Sequence, residues 1–122
     1  LRAFQSVGKL TLHSLYESDR HAIVSKNYPK ALSENDKTVL HLAEKIQAMV
    51  LSSDKAVRKC AKKLCFEYHG MLWVFDKLIE ENLILKNDAI KKIQELFTTN
   101  IIYQNNLEIK TEIDKRIKNW SK

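Results

Sequence analysis

Between residues 33 and 79 the hydrophobic period switches repeatedly between helix and strand, and this alternation constrains the fold more than any other feature. Ser33-Glu34-Asn35-Asp36 places an N-cap residue three positions before an acid, close to a capping box with Asp in place of Glu. Val39, Leu40, Ala43 and Ile46 then recur at helical spacing. Ala48-Met49-Val50-Leu51 is almost wholly apolar, as expected of a strand buried on both faces of a parallel sheet. Ser52-Ser53-Asp54 ends that run and opens a second helix with Val57, Ala61 and Leu64 on one face. Residues 65–68, Cys65 to Tyr68, form a second strand candidate. Gly70 then breaks the chain before an apolar-rich helix over residues 71–81. Alternation of this kind argues an α/β fold, a short parallel sheet flanked by helices.

The flanking segments are mostly helical. Leu1, Phe4, Val7, Leu10 and Leu12 give a broken helical period interrupted at Gly8. Ala22-Ile23-Val24 is β-prone, and Asn27-Tyr28-Pro29 forces an extended or turning backbone. Leu83 to Leu85 reads as a brief extended link, with Asn87 capping a helix whose stripe is Ala89, Ile90, Ile93, Leu96 and Phe97. Thr98-Thr99-Asn100 stops it. The last helix places Ile109, Ile113, Ile117 and Trp120 on one face, with Glu112 and Arg116 as an i,i+4 pair. That face serves either the chain's own core or a homodimer.

With 122 residues, 44% of them hydrophobic, one domain over 1–122 can bury a core, and two Gly and one Pro leave few long loops. No apolar stretch approaches the roughly 20 residues that span a bilayer. The opening residues lack a secretory layout, and Cys60 and Cys65 read as reduced thiols. A cytoplasmic protein without membrane contact is the expectation.

The net charge of +6, from 21 Lys and Arg against 15 Asp and Glu, favours polyanionic partners. In a parallel sheet, ligands gather at the carboxyl ends of the strands, and Asp54 lies three residues past Leu51. Asp36 lies in the first turn of the preceding helix and is expected at the same edge. Two carboxylates there repel unless a cation intervenes, and oxygen ligands suit Mg²⁺ or Mn²⁺. Such an ion activates water and stabilises charge on a phosphodiester. Acids in a first helical turn also cap it and complement its dipole, so spacing alone leaves both roles open.

Lys55, Arg58, Lys59, Lys62 and Lys63 form either a solvated helix face or a clamp on a nucleic-acid backbone. Cys60, Cys65 and His69 lack the spacing and fourth ligand of a zinc site and read as small buried thiols and a lone histidine. His41, between Leu40 and Leu42, reads as a structural histidine, while His13 and His21 have no recognisable partner. Trp73 and Trp120 lie on apolar stripes, as core or interface. There is no nucleophile elbow and no phosphate-cradling glycine loop.

The stretch from Ala31 through Leu32-Ser33, Asp36, Leu40 and Ala43, then Met49-Val50-Leu51-Ser52-Ser53-Asp54 to Arg58, resembles PIN-domain nucleases. So do His69-Gly70-Met71-Leu72 and the link to Ile84, giving three motifs in order over residues 31–85. Ser52 stands where Thr is usual, and Met71 where Thr is common after the Gly. Residues 1–10 are similar to the helix after the family's first strand. The resemblance implies a PIN-like three-layer sandwich and a Mg²⁺- or Mn²⁺-dependent ribonuclease, a hydrolase often serving as the toxin of a VapC-type toxin–antitoxin pair. Asp36 and Asp54 match two catalytic, metal-binding acids. Ser52 matches a hydroxyl position near the metal, and Lys55, Arg58 and Lys59 lie beside the RNA groove. RNA and an antitoxin protein are the implied partners. The family's other acids, one ending a first strand and a Glu on a later helix, fall outside the motifs matched here. Glu17 is the only Glu between Tyr16 and Pro29. The expectation is therefore that an N-terminal strand and a segment near Ser18 are absent from this chain. A catalytically inactive module that binds RNA or protein through its basic face is the alternative.

Overall fold

In the computed structural model, which describes residues 2–122, several helices begin where the sequence supplies a side-chain oxygen. Ser33 Oγ accepts from the Asp36 amide at 3.1 Å, and the Asp36 carboxylate accepts from the Ser33 amide at 3.0 Å. This reciprocal box starts α3 (Glu34–Ile46). Asp54 Oδ1 accepts from the Val57 amide at 3.0 Å and starts α4 (Lys55–Lys63). Asn100 and Asn106 cap α7 (Ile101–Gln104) and α8 (Leu107–Trp120) in the same way. The other described helices are α1 (Arg2–Ser6), α2 (Glu17–Ser25), α5 (Met71–Glu80) and α6 (Lys86–Thr99). Leu1, the first residue of the period noted above, lies outside the described residues.

Helix ends follow from the shortage of glycine. Gln47, Cys65 and Asn82, just past α3, α4 and α5, adopt left-handed φ values of 54°, 62° and 57°. Glycine usually takes this position because it has no Cβ to clash. Gly8 does so at φ 76°, after α1.

Among the described residues the sheet has two strands, β1 (Val50–Leu51) and β2 (Tyr68–His69). Val50 N–H donates to Glu67 O at 2.8 Å and Ser52 N–H to His69 O at 2.9 Å. Both partners advance together by two residues, so the pair is parallel, as the alternation of periods predicts.

The chain forms two compact units, Leu1–Val50 with Asp54–Glu67, and Leu51–Ser53 with Tyr68–Lys122. In the first, α2 packs on α3 and α3 on α4, around Ile23, Leu32, Leu40, Ala43, Val50, Val57 and Ala61. In the second, α6, α7 and α8 pack on one another, and α5 packs on α6 and β2. Ala89, Ile93, Tyr103 and Ile113 are its buried residues. The Glu112–Arg116 pair forms at 3.1 Å, and Arg116 also forks onto both Asp76 oxygens at 2.9 to 3.2 Å. Burial works against the Arg116 charge, but Asp76 and Glu112 more than compensate and raise its pKa.

Several sequence expectations need correction. Ala22-Ile23-Val24 is helical, because Asp19 starts α2 by accepting from the Tyr16 amide at 2.9 Å and Ile23 turns into the core. β1 is buried on one side only: Val50 is 1% exposed, whereas Leu51 is 55% exposed. Cys65 is exposed and belongs to the left-handed end of α4, leaving only Tyr68 of residues 65–68 in β2. α6 starts at Lys86 with Leu85 at its N-cap, so Asn87 lies inside the helix. Val39, Ile46 and Leu64 are exposed, and His41 takes buried space on α3 instead.

Candidate functional site

Asp36 and Asp54 both lie in the first compact unit, at the starts of two helices that pack together. Each uses one carboxylate oxygen on backbone N–H groups of its own helix start. The capping role that spacing left open is therefore real for both. It does not exclude a second role, because a carboxylate has about four lone-pair sites and a cap uses one. Hard oxygen donors fit Mg²⁺ or Mn²⁺ in kind. They fall short in number: among the described residues no three His, Cys, Asp or Glu side chains form a metal-holding group. Ser52, the proposed near-site hydroxyl, lies in the second unit, where its amide joins the β ladder. Ser53 is tied down by side-chain contacts in that unit. Its Oγ accepts from Tyr103 OH at 3.1 Å and from Met71 N–H at 3.4 Å, bracing the start of α5, where Gly70 offers no cap.

Helix α4 buries Val57, Cys60 and Ala61 and turns five cations outward. At 3.6 residues per turn, Arg58, Lys62, Lys55, Lys59 and Lys63 fall on one arc of roughly 140°. Outside α4 the chain carries 16 Lys and Arg against 15 Asp and Glu, so this helix holds five of the six excess charges. Lys55–Lys59, Lys59–Lys63 and Arg58–Lys62 are like-charged i,i+4 pairs, each costing about 0.2–0.5 kcal/mol. Burial raises the pKa of the Cys60 thiol, against a smaller opposing pull from Lys63, so it stays protonated and unreactive.

A buried polar cluster links α2 to α3. Asp19 is 5% exposed and His41 6%. His41 Nε2 lies 2.9 Å from Asp19 Oδ1, and Lys45 Nζ lies 3.1 Å from the same oxygen. Lys26 Nζ lies 2.8 Å from His41 Nδ1 and 2.7 Å from Glu44. An ammonium can only donate, so His41 Nδ1 accepts and Nε2 carries the proton given to Asp19. Both ring nitrogens are thus engaged, which makes His41 the satisfied structural histidine expected from sequence. The hydrogen bond from His41, then those from the Tyr16 amide and Lys45, hold the Asp19 carboxyl far below its ordinary pKa. Asp19 and Lys45 line a cleft of about 240 Å³ together with Tyr16 and His13. Nothing local in the sequence marks this cluster, since Asp19 and His41 are 22 positions apart. Glu17, the one glutamate in the region, is exposed and lies 3.7 Å from His21.

No helix among the described residues is long and apolar enough to cross a membrane. No curated protein and no solved structure matches the chain. A family model described as a PIN domain matches residues 3–115, which takes in both capping aspartates, the two-strand parallel ladder and helix α4. PIN domains are generally nucleases, and this chain belongs to the PIN-domain family.

Proposed function

We propose that this chain acts in a metal-dependent endoribonuclease that hydrolyses RNA phosphodiester bonds, built as a PIN-like three-layer sandwich and serving as a VapC-type toxin held by an antitoxin protein. The observation that carries the reading is the coincidence of family and place. By motif resemblance Asp36 and Asp54 match two of the family's acidic positions; both lie within the matched residues 3–115, and each stands at the start of a helix. Mg²⁺ or Mn²⁺ bound there would supply an activated water and a counter-charge for the phosphodiester. The chain's own contribution is positional. Capping bonds hold each carboxylate at its helix start, and Lys55, Arg58 and Lys59 hold RNA phosphates beside Asp54. The second reading, an inactive RNA-binding module, is favoured by the want of a third metal-binding side chain among the described residues.

The test is cleavage of end-labelled single-stranded RNA with Mn²⁺, with Mg²⁺ and with EDTA, by the wild type and Asp36→Asn. The expected result is metal-dependent cleavage that falls by roughly a hundredfold or more in the variant, since outer-shell losses alone reach that range. RNA binding without cleavage in either metal would replace the nuclease with the binding module. Release of an antitoxin on co-purification from the native operon would support the toxin role.

A further inference from the structure

Resting on the RNA-directed reading above, we propose that α4 is a sequence-independent track for the phosphates of a single RNA strand, running from Asp54 through Lys62 and Lys63 at its far end. Charge placement carries the argument. Five of the six excess positive charges of the chain sit on these nine residues, and none of the nine is acidic. Lys59, Lys62 and Lys63 are all exposed, and among the described residues no carboxylate forms an ion pair with them. A helix selected only for solubility would intersperse acids at i,i+4, as α8 does with Glu112 and Arg116.

Geometry then selects the occupant. Lys55, Lys59 and Lys63 form one i,i+4,i+8 row, about 12 Å from end to end at 1.5 Å rise per residue. Along one strand that row meets about two or three successive phosphates, roughly one per lysine. Lysines are flexible point charges, which suits phosphate contact more than the bidentate reading of base edges. The cationic arc carries no aromatic or large apolar side chain to insert among acyl chains, so a lipid surface fits it poorly. Because the row begins next to Asp54, the strand it holds would pass the acidic position and continue along the helix.

The test compares wild type, Lys62→Gln/Lys63→Gln, and a charge-matched control on α6, Lys91→Gln/Lys92→Gln. Anisotropy of a fluorescein-labelled single-stranded RNA of roughly ten nucleotides is read in EDTA across a salt series. Losing two phosphate contacts should lower the slope of log K against log salt by about 1.4, while the control leaves it unchanged. Equal losses in both doubles would overturn the track in favour of a diffuse net-charge effect. No RNA binding by the wild type, or no loss in the α4 double, would overturn it outright. So would a loss seen only with duplex RNA or only with phosphatidylserine vesicles. The nuclease reading fails separately: intact, lysine-dependent binding in EDTA with no cleavage in Mn²⁺ removes the hydrolase and leaves the track.

Discussion

Replacing Asp54 by Asn and by Ala separates the two roles its carboxylate is asked to fill. Asp54 Oδ1 accepts from the Val57 amide at 3.0 Å, one of the donors that an α-helix leaves without an internal partner. Alanine removes that acceptor and should cost about 1 kcal/mol, within a range of roughly 0.5–2. Asparagine ranks beside aspartate as an N-cap and keeps an oxygen in place. It loses the charge, whose dipole term is about 0.3–1 kcal/mol and is screened by salt. Thermal melts in high salt should therefore place Asp54→Asn close to wild type and Asp54→Ala lower by about 4 °C. Cleavage of labelled RNA should be lost in both, because both remove the anionic ligand. If Asp54→Asn melts as low as Asp54→Ala in high salt, the cap is not the stabilising contact. If it melts like wild type and still cleaves fully, Asp54 is not a metal-binding residue and the proposed site is wrong.

Asp19 predicts a pH dependence. Its folded pKa lies below the ordinary 3.8, so its contribution is complete above that value and fades as pH falls and the unfolded chain takes up the proton first. The melting temperature of wild type should drop between about pH 5 and pH 2, and Asp19→Asn should flatten that part of the profile. Gln47 sits at φ 54° and ψ 49°, a left-handed conformation that crowds its Cβ. Gln47→Gly should raise stability by about 0.5–1 kcal/mol in urea unfolding, and a loss instead would mean that the side chain makes a compensating contact.

Local chemistry was legible in the sequence and remote pairing was not. Ser33 and Asp36 announce α3 because a capping box is complete within four residues, and the structure contains it atom for atom. The same holds for α5, whose apolar run over residues 71–80 needs only Gly70 to mark its start. α2 was hidden because Tyr16 is no habitual N-cap and Ala22-Ile23-Val24 favours a strand in isolation. What settles it is tertiary: Ile23 is buried, and Asp19 is fixed by His41 and Lys45 from another helix. Arg116 divides in the same way. Its bond to Glu112 follows from spacing, whereas its fork onto Asp76 spans 40 positions and has no sequence signal.

The candidate site adds a different difficulty, since Asp36 and Asp54 would appear where they do even if the protein bound nothing. A residue that solves a folding problem says little about function by its position alone, so the weight at Asp36 and Asp54 falls on the motif match. The informative residues are those whose presence works against the fold. In α4, Lys55, Lys59 and Lys63 repel along one row, and the helix itself contains no acid between them. Neutralising part of that row should leave the fold as stable or slightly more so while weakening RNA binding. A mutant such as Asp54→Ala, which loses cap and charge together, leaves folding and chemistry entangled when read alone. A lysine mutant that holds its melting temperature and loses RNA does not, and so α4 is the firmer place to decide whether this chain acts on nucleic acid.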